Sequence, residues 1–463
     1  MARLCAALVF YATLWVSLQA QHAKAEEEPT ARAYHLDEYT AAAIRHYPSI
    51  RAAKADIDAA TARLDEARLS PFFQFEGNAS FFVRPRAIGT PIFSPDGQLP
   101  LSNPWGPGVQ LEAKGAIPIY TFGKYRAGKK AARAGIRSAE EERIRTLNQV
   151  VFDVRRAYFG TQLALDLEAM VSDGKGKLVK AVEKLEARLD ADDPDAKQSD
   201  YWRLLSALSE IESRESEALK LEASARKALE LLTGIEPAIV PECALEPVQS
   251  EVIELTEHLE RALKNRPEVE QLVAAESASQ ANLTTQRAGY APDILLALAA
   301  NFAVTPIVTD INNPFIIDRG NFRGAFVGIV AKWKLDFAGN AAKVRRARAE
   351  IAGLKAKTEE AHRGIELEVT ALYEQMQDAK RRMNSWSRAE RETRKWFVSA
   401  GQAYEVGTSS ARELEDSIAG YFNARAKHLA AIADYNIAIA GLEQATGVPL
   451  VSDGNWRAAG CDE

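Results

Sequence analysis

The residue types that could carry chemistry are sparse and scattered. His35, His46, His258, His362 and His428 show no H-E-x-x-H or other paired spacing that would place two imidazoles on one metal. No G-x-S-x-G elbow, phosphate-binding loop or C-x-x-C pair occurs. Met376 and Met383 fall on one helical face, where core packing explains them better than a soft-metal relay. The expectation is a protein with no cofactor, no metal and no enzymatic activity. Regular polar spacing is found elsewhere. Gln74, Glu76, Asn78 and Ser80 occupy every second position, as do Gln110, Glu112 and Lys114. A second polar group is acidic: Asp190, Asp192, Asp193 and Asp195, with Asp200 close behind. Such groups suit a wetted wall or a charged ring better than catalysis. For the acids, the alternative is a solvated turn with Ser199 as helix N-cap.

The elements that must position these groups follow from periodicity. Phe73, Phe75, Gly77, Ala79, Phe81 and Val83 alternate against the first polar set, and Val109, Leu111, Ala113, Gly115, Ile117 and Ile119 against the second. Period-two alternation at this length predicts strands with one apolar and one wet face, as an outer-membrane barrel demands. A soluble sandwich also alternates, but its strands are usually about five or six residues long. A less regular pair follows later. Ile294, Leu296, Leu298, Ala300 and Phe302 share a face, and Val327, Ile329 and Trp333 alternate against Gly328 and Lys332, with Phe326 and Val330 out of pattern. Loops 84–107 and 305–321 between paired strands are long, as outer loops of such barrels are.

The chain repeats itself. His46-Tyr47-Pro48-Ser49-Ile50 returns as Asn265-Arg266-Pro267-Glu268-Val269, and Leu232-Thr233-Gly234 as Ala445-Thr446-Gly447. Val154 and Tyr158 match Val369 and Tyr373 at an offset of 215. Two halves result, 26–245 and 246–450, joined by a Pro-bearing segment at 235–248 and followed by a tail at 451–463. Each half reads helix, strand, loop, strand, very long helix, turn, helix. The opening helices span Asp37–Leu69, kinked at Pro48, and Leu255–Gly289. The long ones run from Gly123 to about Asp190 and from Gly339 to about Val406, roughly 100 Å each at the helical rise. Their seams are heptad-like. Leu147, Val151, Val154, Tyr158, Thr161 and Leu165 form one, and Ile365, Val369, Leu372, Met376, Ala379, Met383 and Trp386 the other. Helices returning over 198–233 and 412–446, added to the opening ones, equal one long helix in length. Stacked end to end, the short pair could flank it.

Composition sets the outer bounds. The 463 residues are 47% hydrophobic and 26% charged, with a net charge of −6. The acidic balance argues against a general nucleic-acid binder. Beyond the N-terminus no apolar stretch is long enough for a membrane-spanning helix. Residues 1–25 read as a signal peptide: Arg3, an apolar run from Leu4 to Leu18, and the cleavage site Ala23-Lys24-Ala25. Its removal takes the net charge to −8. An exported compartment permits Cys243 and Cys461 to pair, but two cysteines make no framework, and unpaired thiols are the expectation.

From about Tyr34 to Val448 the chain resembles the TolC-like outer-membrane efflux proteins. The likeness rests on the duplication, the corners Ile119-Tyr120-Thr121-Phe122-Gly123 and Leu335-Asp336-Phe337-Ala338-Gly339, and the turn from Ala403 through Ser410 to Glu413-Leu414. The resemblance implies an α+β membrane protein: tandem-duplicated strand pairs plus very long coiled-coil helices. Three chains of four strands would form a trimeric 12-stranded β-barrel with a periplasmic α-helical barrel. It also implies an outer-membrane channel-tunnel extending into the periplasm, a homotrimer in outer-membrane lipid, serving a tripartite efflux or type I secretion system with a periplasmic adaptor and an inner-membrane pump. The helix-tip gate and adaptor residues carried over are Ser199, Asp200, Tyr404, Gly407, Ser410 and Glu413. At the first tip Pro194 stands where the family has glycine. The alternative is a periplasm-spanning coiled-coil spacer or fibre, which has no need of two-faced strands. Basic clusters at Lys129-Lys130 and at Lys343, Arg345 and Arg346 fit either the inner membrane face of a barrel or ordinary solubilising charge.

Overall fold

The computed structural model describes residues 32–69, 71–72, 74–87, 104–194, 196–250, 253–311, 315, 318 and 320–448. The signal peptide and the 451–463 tail lie outside them. The described elements are, in order, α1 (Leu36–His46), α2 (Pro48–Leu69), β1 (Phe75–Pro85), β2 (Trp105–Tyr120), α3 (Lys124–Asp190) and α4 (Gln198–Thr233). The second half supplies α5 (Leu255–Asn265), α6 (Pro267–Ala288), β3 (Asp293–Val304), β4 (Phe322–Lys332), α7 (Phe337–Glu405) and α8 (Ala411–Thr446). No described helix is long and apolar enough to cross a membrane.

Each opening helix is two helices rather than one kinked rod. Tyr47 (φ −65, ψ 129) and Arg266 (φ −68, ψ 131) are extended. Each precedes a proline, whose ring excludes the helical region for the residue before it. The proline then starts the next helix, where its missing N–H costs nothing. The long helices match expectation, at 67 and 69 residues. The repeated Thr-Gly pair is a stop signal. Gly234 and Gly447 take left-handed φ of 73 and 67 and cap α4 and α8. The preceding Thr233 and Thr446 hydroxyls donate back to the Leu229 and Leu442 carbonyls.

The fold divides into two compact units, each drawing on both halves of the sequence. The first takes the described parts of Met1–Ile50, Leu147–Asn265 and Glu366–Glu463. Its core is the heptad seam. Val154, Tyr158 and Thr161 of α3 and Val369, Met376 and Ala379 of α7 are buried with Ile439 and Leu442 of α8. The opening and returning helices meet as the length arithmetic suggested: α1 packs on α4, and the Tyr39 hydroxyl donates to the Ile239 carbonyl just past the α4 cap. The 235–248 joint is held by side chains. Asn436 of α8 accepts from Val248 N and donates to the Glu246 carbonyl, both at 2.9 Å, and Asp166 accepts from Leu245 N at 2.8 Å. Within this joint Cys243 is disulfide-bonded, with its partner outside the described residues. The unpaired-thiol expectation is therefore corrected, in keeping with an oxidising compartment.

The second unit comprises Arg51–Thr146 and Arg266–Ile365 and contains the sheet. Its four strands run β1-β2-β3-β4, all antiparallel. β1 and β4 are therefore edges with nothing paired outside them among the described residues. β2 is longer than its alternating pattern indicated, with 16 residues and a register shift between Pro118 and Tyr120. The strand-to-helix corners are built differently in the two halves. Phe122 and Gly123, at φ 49 and 92, turn β2 into α3. After β4, Asp336 caps α7 by accepting from Gly339 N at 2.9 Å.

Candidate functional site: a two-faced sheet and paired helix turns

Residues paired across neighbouring strands point to the same side of a sheet. Register therefore tests the strand reading directly. Ser80 pairs with Gln110, Asn78 with Glu112 and Glu76 with Lys114, so the polar residues expected together do share one face. Gln74 lies just ahead of β1, its carbonyl accepting from Ala116 N. Lys114 Nζ lies 3.4 Å from Glu76 Oε2, and Asn78 Nδ2 donates to Glu76 Oε1 at 3.3 Å. The rows continue through Ala303, Asn301 and Ala299 of β3 to Phe322, Gly324 and Phe326 of β4. The opposite face carries Phe75, Gly115, Leu298 and Val327 in one row, and Gly77, Ala113, Ala300 and Ala325 in the next. Phe75 lies over Gly115, where an added Cβ would meet its ring at 2.3 Å.

Register also shows what alternation alone missed. Phe326, out of pattern in the sequence, belongs to the polar face. Arg323 belongs to the apolar one, in the row of Ala79, Leu111 and Phe302. There its guanidinium lies 5.5 Å from the Phe302 ring centroid.

At the far ends of the long helices, in the first compact unit, the two turns close in one way. In the second, Gly407 N bonds to Tyr404 O and Thr408 N to Ala403 O. In the first, Asp192 N bonds to Leu189 O and Asp193 N to Arg188 O. Both are Schellman closures, which need one left-handed residue. Gly407 supplies it at φ 78, and Asp192, not the Pro194 position, supplies it at φ 50. Aspartate tolerates this region better than most residues, which is how the turn forms without a glycine.

The turns share a hydrophobic cluster. Leu178, Val182 and Leu185 of α3 pack with Leu204 of α4, Tyr404 of α7, and Leu414 and Ile418 of α8. Of the tip candidates, Tyr404 lies in this cluster, and Asp200 is near enough to act on it electrostatically. Ser410 caps α8, accepting from Glu413 N at 3.3 Å, and the Glu413 carboxylate accepts from Ser409 Oγ at 3.1 Å. Tyr404 is buried, and that burial raises its phenol pKa. Arg188 opposes the rise and Asp200 adds to it, so both charges act on the ring. Ser199 is not the N-cap: α4 starts at Gln198 after Lys197, which caps with no side chain, leaving Ser199 and Asp200 inside the first turn. Asp190 ends α3, Asp193 is paired with Arg188 at 2.8 Å, and Asp195 lies outside the described residues.

Sequence reasoning missed the basic half of this site. Besides Arg188, Lys184 Nζ reaches the Glu405 carbonyl at 3.4 Å and Arg203 lies 3.5 Å from Glu415. The available signal was Arg188, four and five residues ahead of Asp192 and Asp193. Of the histidines, His258 is fully buried beside Tyr373 and His428 is 2.6 Å from Glu390. Among the described residues no group of three or more His, Cys, Asp or Glu is placed to hold a metal ion.

The chain combines a four-stranded antiparallel sheet, in one unit, with hairpins of very long helices. Residues 258–448 match the family model for outer membrane efflux proteins. No curated protein matches the chain significantly. Among solved structures the chain is similar to CusC, with a TM-score of 0.74, 17% identity, and 90% of this chain and 92% of that one covered. It is similar to the CmeC outer membrane channel of Campylobacter jejuni, with a TM-score of 0.74, 15% identity and coverage of 90% and 86%. The outer membrane protein VceC from Vibrio cholerae matches with a TM-score of 0.71, 16% identity and coverage of 90% and 96%. At such identities the structures speak for the fold, and the family match covers the second half of a duplicated chain. The chain thus carries an outer membrane efflux protein domain over residues 258–448 and shares the fold of these solved outer-membrane channels.

Proposed function

We propose that three copies of the chain close a 12-stranded barrel in the outer membrane and form a passive export duct. The observation that supports the reading is the sheet: among the described residues its two edges are unpaired, and in β1 and β2 the polar residues from Glu76 to Ser80 and from Gln110 to Lys114 share one face. In lipid each unsatisfied backbone group costs several kcal/mol, so an open four-stranded sheet cannot stand alone there. An edge-to-edge ring of identical copies satisfies both edges, with β4 of one copy antiparallel to β1 of the next. Gln74, Glu76, Asn78, Ser80, Gln110, Glu112 and Lys114 then line the lumen, and the Leu298 and Val327 face meets hydrocarbon. A spacer or fibre would have no use for such a sheet.

The paired turns are the periplasmic mouth. Ser199, Asp200, Tyr404, Gly407, Ser410 and Glu413 are the docking and gating candidates for a periplasmic adaptor, which links the duct to an inner-membrane pump. Asp190, Asp192 and Asp200 of each copy would make a cation-attracting ring there; Arg188 offsets Asp193. The duct does no chemistry. It lowers the barrier for a polar solute, and the pump supplies the energy, within a tripartite efflux or type I secretion system. Purified protein is expected to run as a heat-sensitive trimer and to conduct ions across planar bilayers. A soluble monomer without conductance would refute the reading. Deletion of the gene separates the two systems: sensitivity to small toxic compounds marks efflux, and loss of a secreted protein marks type I secretion.

A further inference from the structure

The second compact unit carries a charge feature that neither the duct nor its mouth uses. Residues 122–139, where α3 leaves the sheet, hold Lys124, Arg126, Lys129, Lys130, Arg133 and Arg137 and no acid. Residues 337–349, where α7 leaves it, hold Lys343, Arg345, Arg346 and Arg348 and again no acid. This is unusual in a chain of net charge −6. It also runs against the helix macrodipole, which favours acids in the first turns, where neither helix has any.

Arg126, Lys130, Arg133 and Arg137 are spaced four, three and four residues apart on one exposed stripe. None of them has a hydrogen-bond or ion-pair partner among the described residues, and the same holds for Lys343, Arg345 and Arg348. The nearby acids are otherwise engaged: Asp293 with Lys124 at 2.8 Å, Asp65 with Arg68 at 3.0 Å, and Glu350 with Arg346 at 3.5 Å.

A second observation fixes the level of these charges. Exposed aromatic residues gather at the same corners: Tyr120 against Phe122 at 4.7 Å between centroids, and Trp333 against Phe337 at 6.4 Å. The Trp333 indole donates to the Tyr290 carbonyl at 3.1 Å. The amphipathic rings of Tyr120 and Trp333 are of the kind that settle at the membrane–water interface. At the helical rise, Arg126 and Lys130 lie about 6 and 12 Å beyond Phe122, and Lys343 and Arg345 about 9 and 12 Å beyond Phe337. Helical side chains lean toward the helix N-terminus, here back toward the sheet, which brings their charged ends closer to the interface.

We infer that Arg126, Lys129, Lys130, Lys343 and Arg345 form a basic collar that binds the anionic phosphate headgroups of phospholipids in the periplasmic leaflet of the outer membrane. Charge complementarity and continuity with the aromatic corners name this occupant. Lys129 is already oriented, its Nζ lying 4.3 Å from the Tyr125 ring centroid. The inference rests on the barrel spanning the membrane, so its test must fail separately from that reading.

The full-length protein is reconstituted in phosphatidylcholine, where conductance checks insertion by itself. Brominated phosphatidylglycerol and brominated phosphatidylcholine then compete as quenchers of tryptophan fluorescence. The wild type should prefer the anionic lipid about tenfold in low salt, since each interfacial cation is worth roughly fivefold before screening. The variants R126Q/K130Q and K343Q/R345Q should each lose most of that preference while conducting normally. The control K180Q/K220Q/R394Q, which removes three charges far along the helices, should keep it. No preference in an inserted wild type overturns the collar, as does a preference that survives all four collar substitutions. Displacement of phosphatidylglycerol by millimolar inorganic phosphate would identify a free-anion site instead. An unchanged lipid preference with altered anion selectivity would place the charges in the lumen.

Discussion

A charge placed on either face of β3 distinguishes hydrocarbon from water. Leu298 is in the row of Phe75, Gly115 and Val327, and Asn301, three residues on, is in the row of Asn78, Glu112 and Gly324. Both sit in an inner strand, so neither substitution touches the edge pairing. In the proposed barrel an arginine at position 298 faces acyl chains, at a cost of about 2–4 kcal/mol near the bilayer midplane. Three copies raise this to about 6–12 kcal/mol per barrel, comparable to the whole stability of a typical domain. At position 301 the same arginine faces water, opposite Glu112, and costs less than about 1 kcal/mol. The assay is the fraction of chain recovered from outer-membrane fractions as a heat-sensitive trimer. Leu298→Arg should lose most of it, while Asn301→Arg should assemble and shift conductance toward anions. Normal assembly of Leu298→Arg together with failure of Asn301→Arg would invert the faces and refute the reasoning.

The helix turns and the buried core give further tests. Gly407→Ala forces a Cβ into a left-handed backbone and should destabilise the second turn by about 1–2 kcal/mol. Asp192→Gly relieves the same conformation in the first turn, and limited proteolysis should show the second variant cut more slowly and the first faster. Burial lowers the His258 pKa, with Arg261 adding to the effect and Glu257 opposing it. The unfolded chain therefore binds the extra proton more readily, and stability is lost as pH falls below about 6.5 toward the lowered value. Thermal melts of the wild type between pH 8 and 5 should show this decline, and His258→Gln should flatten it; equal slopes would remove His258 as its source.

The parts of the fold visible in the sequence were those with a local physical cause. β1 and β2 alternate cleanly over the stretch where Glu76, Asn78 and Ser80 face Lys114, Glu112 and Gln110. β3 and β4 do not, since Leu295, Ala297 and Ala299 are small or apolar on both sides, and only pairing with β2 assigns their faces. Phe326 and Arg323 each stand on the side their chemistry disfavours, which no single-strand pattern can show. The proline positions were visible, but the depth of the break depended on Tyr47 and Arg266 becoming extended rather than merely bent. The second turn was legible because a glycine signals a left-handed residue, as at Gly407. The first was harder to place, since Asp192 does the same work beside a more conspicuous proline. Ser199 is a good capping type one residue too late, and the tip cations Arg188, Lys184 and Arg203 have partners distant in sequence. Cys243 illustrates a different limit, because composition permits a bridge without requiring it.

The unpaired margins of the sheet have a consequence for how the molecule comes into being. In the proposed barrel, helical hairpins close through neighbours in one chain and can form early, whereas the outer strands acquire their last hydrogen bonds only from other copies. Until that happens, each newly exported polypeptide presents a template on which foreign strands can grow. Maturation is thus a reaction of higher order in protein concentration, and its yield should fall steeply when expression is diluted. On that reading durability belongs to the closed ring and has no value for a solitary chain.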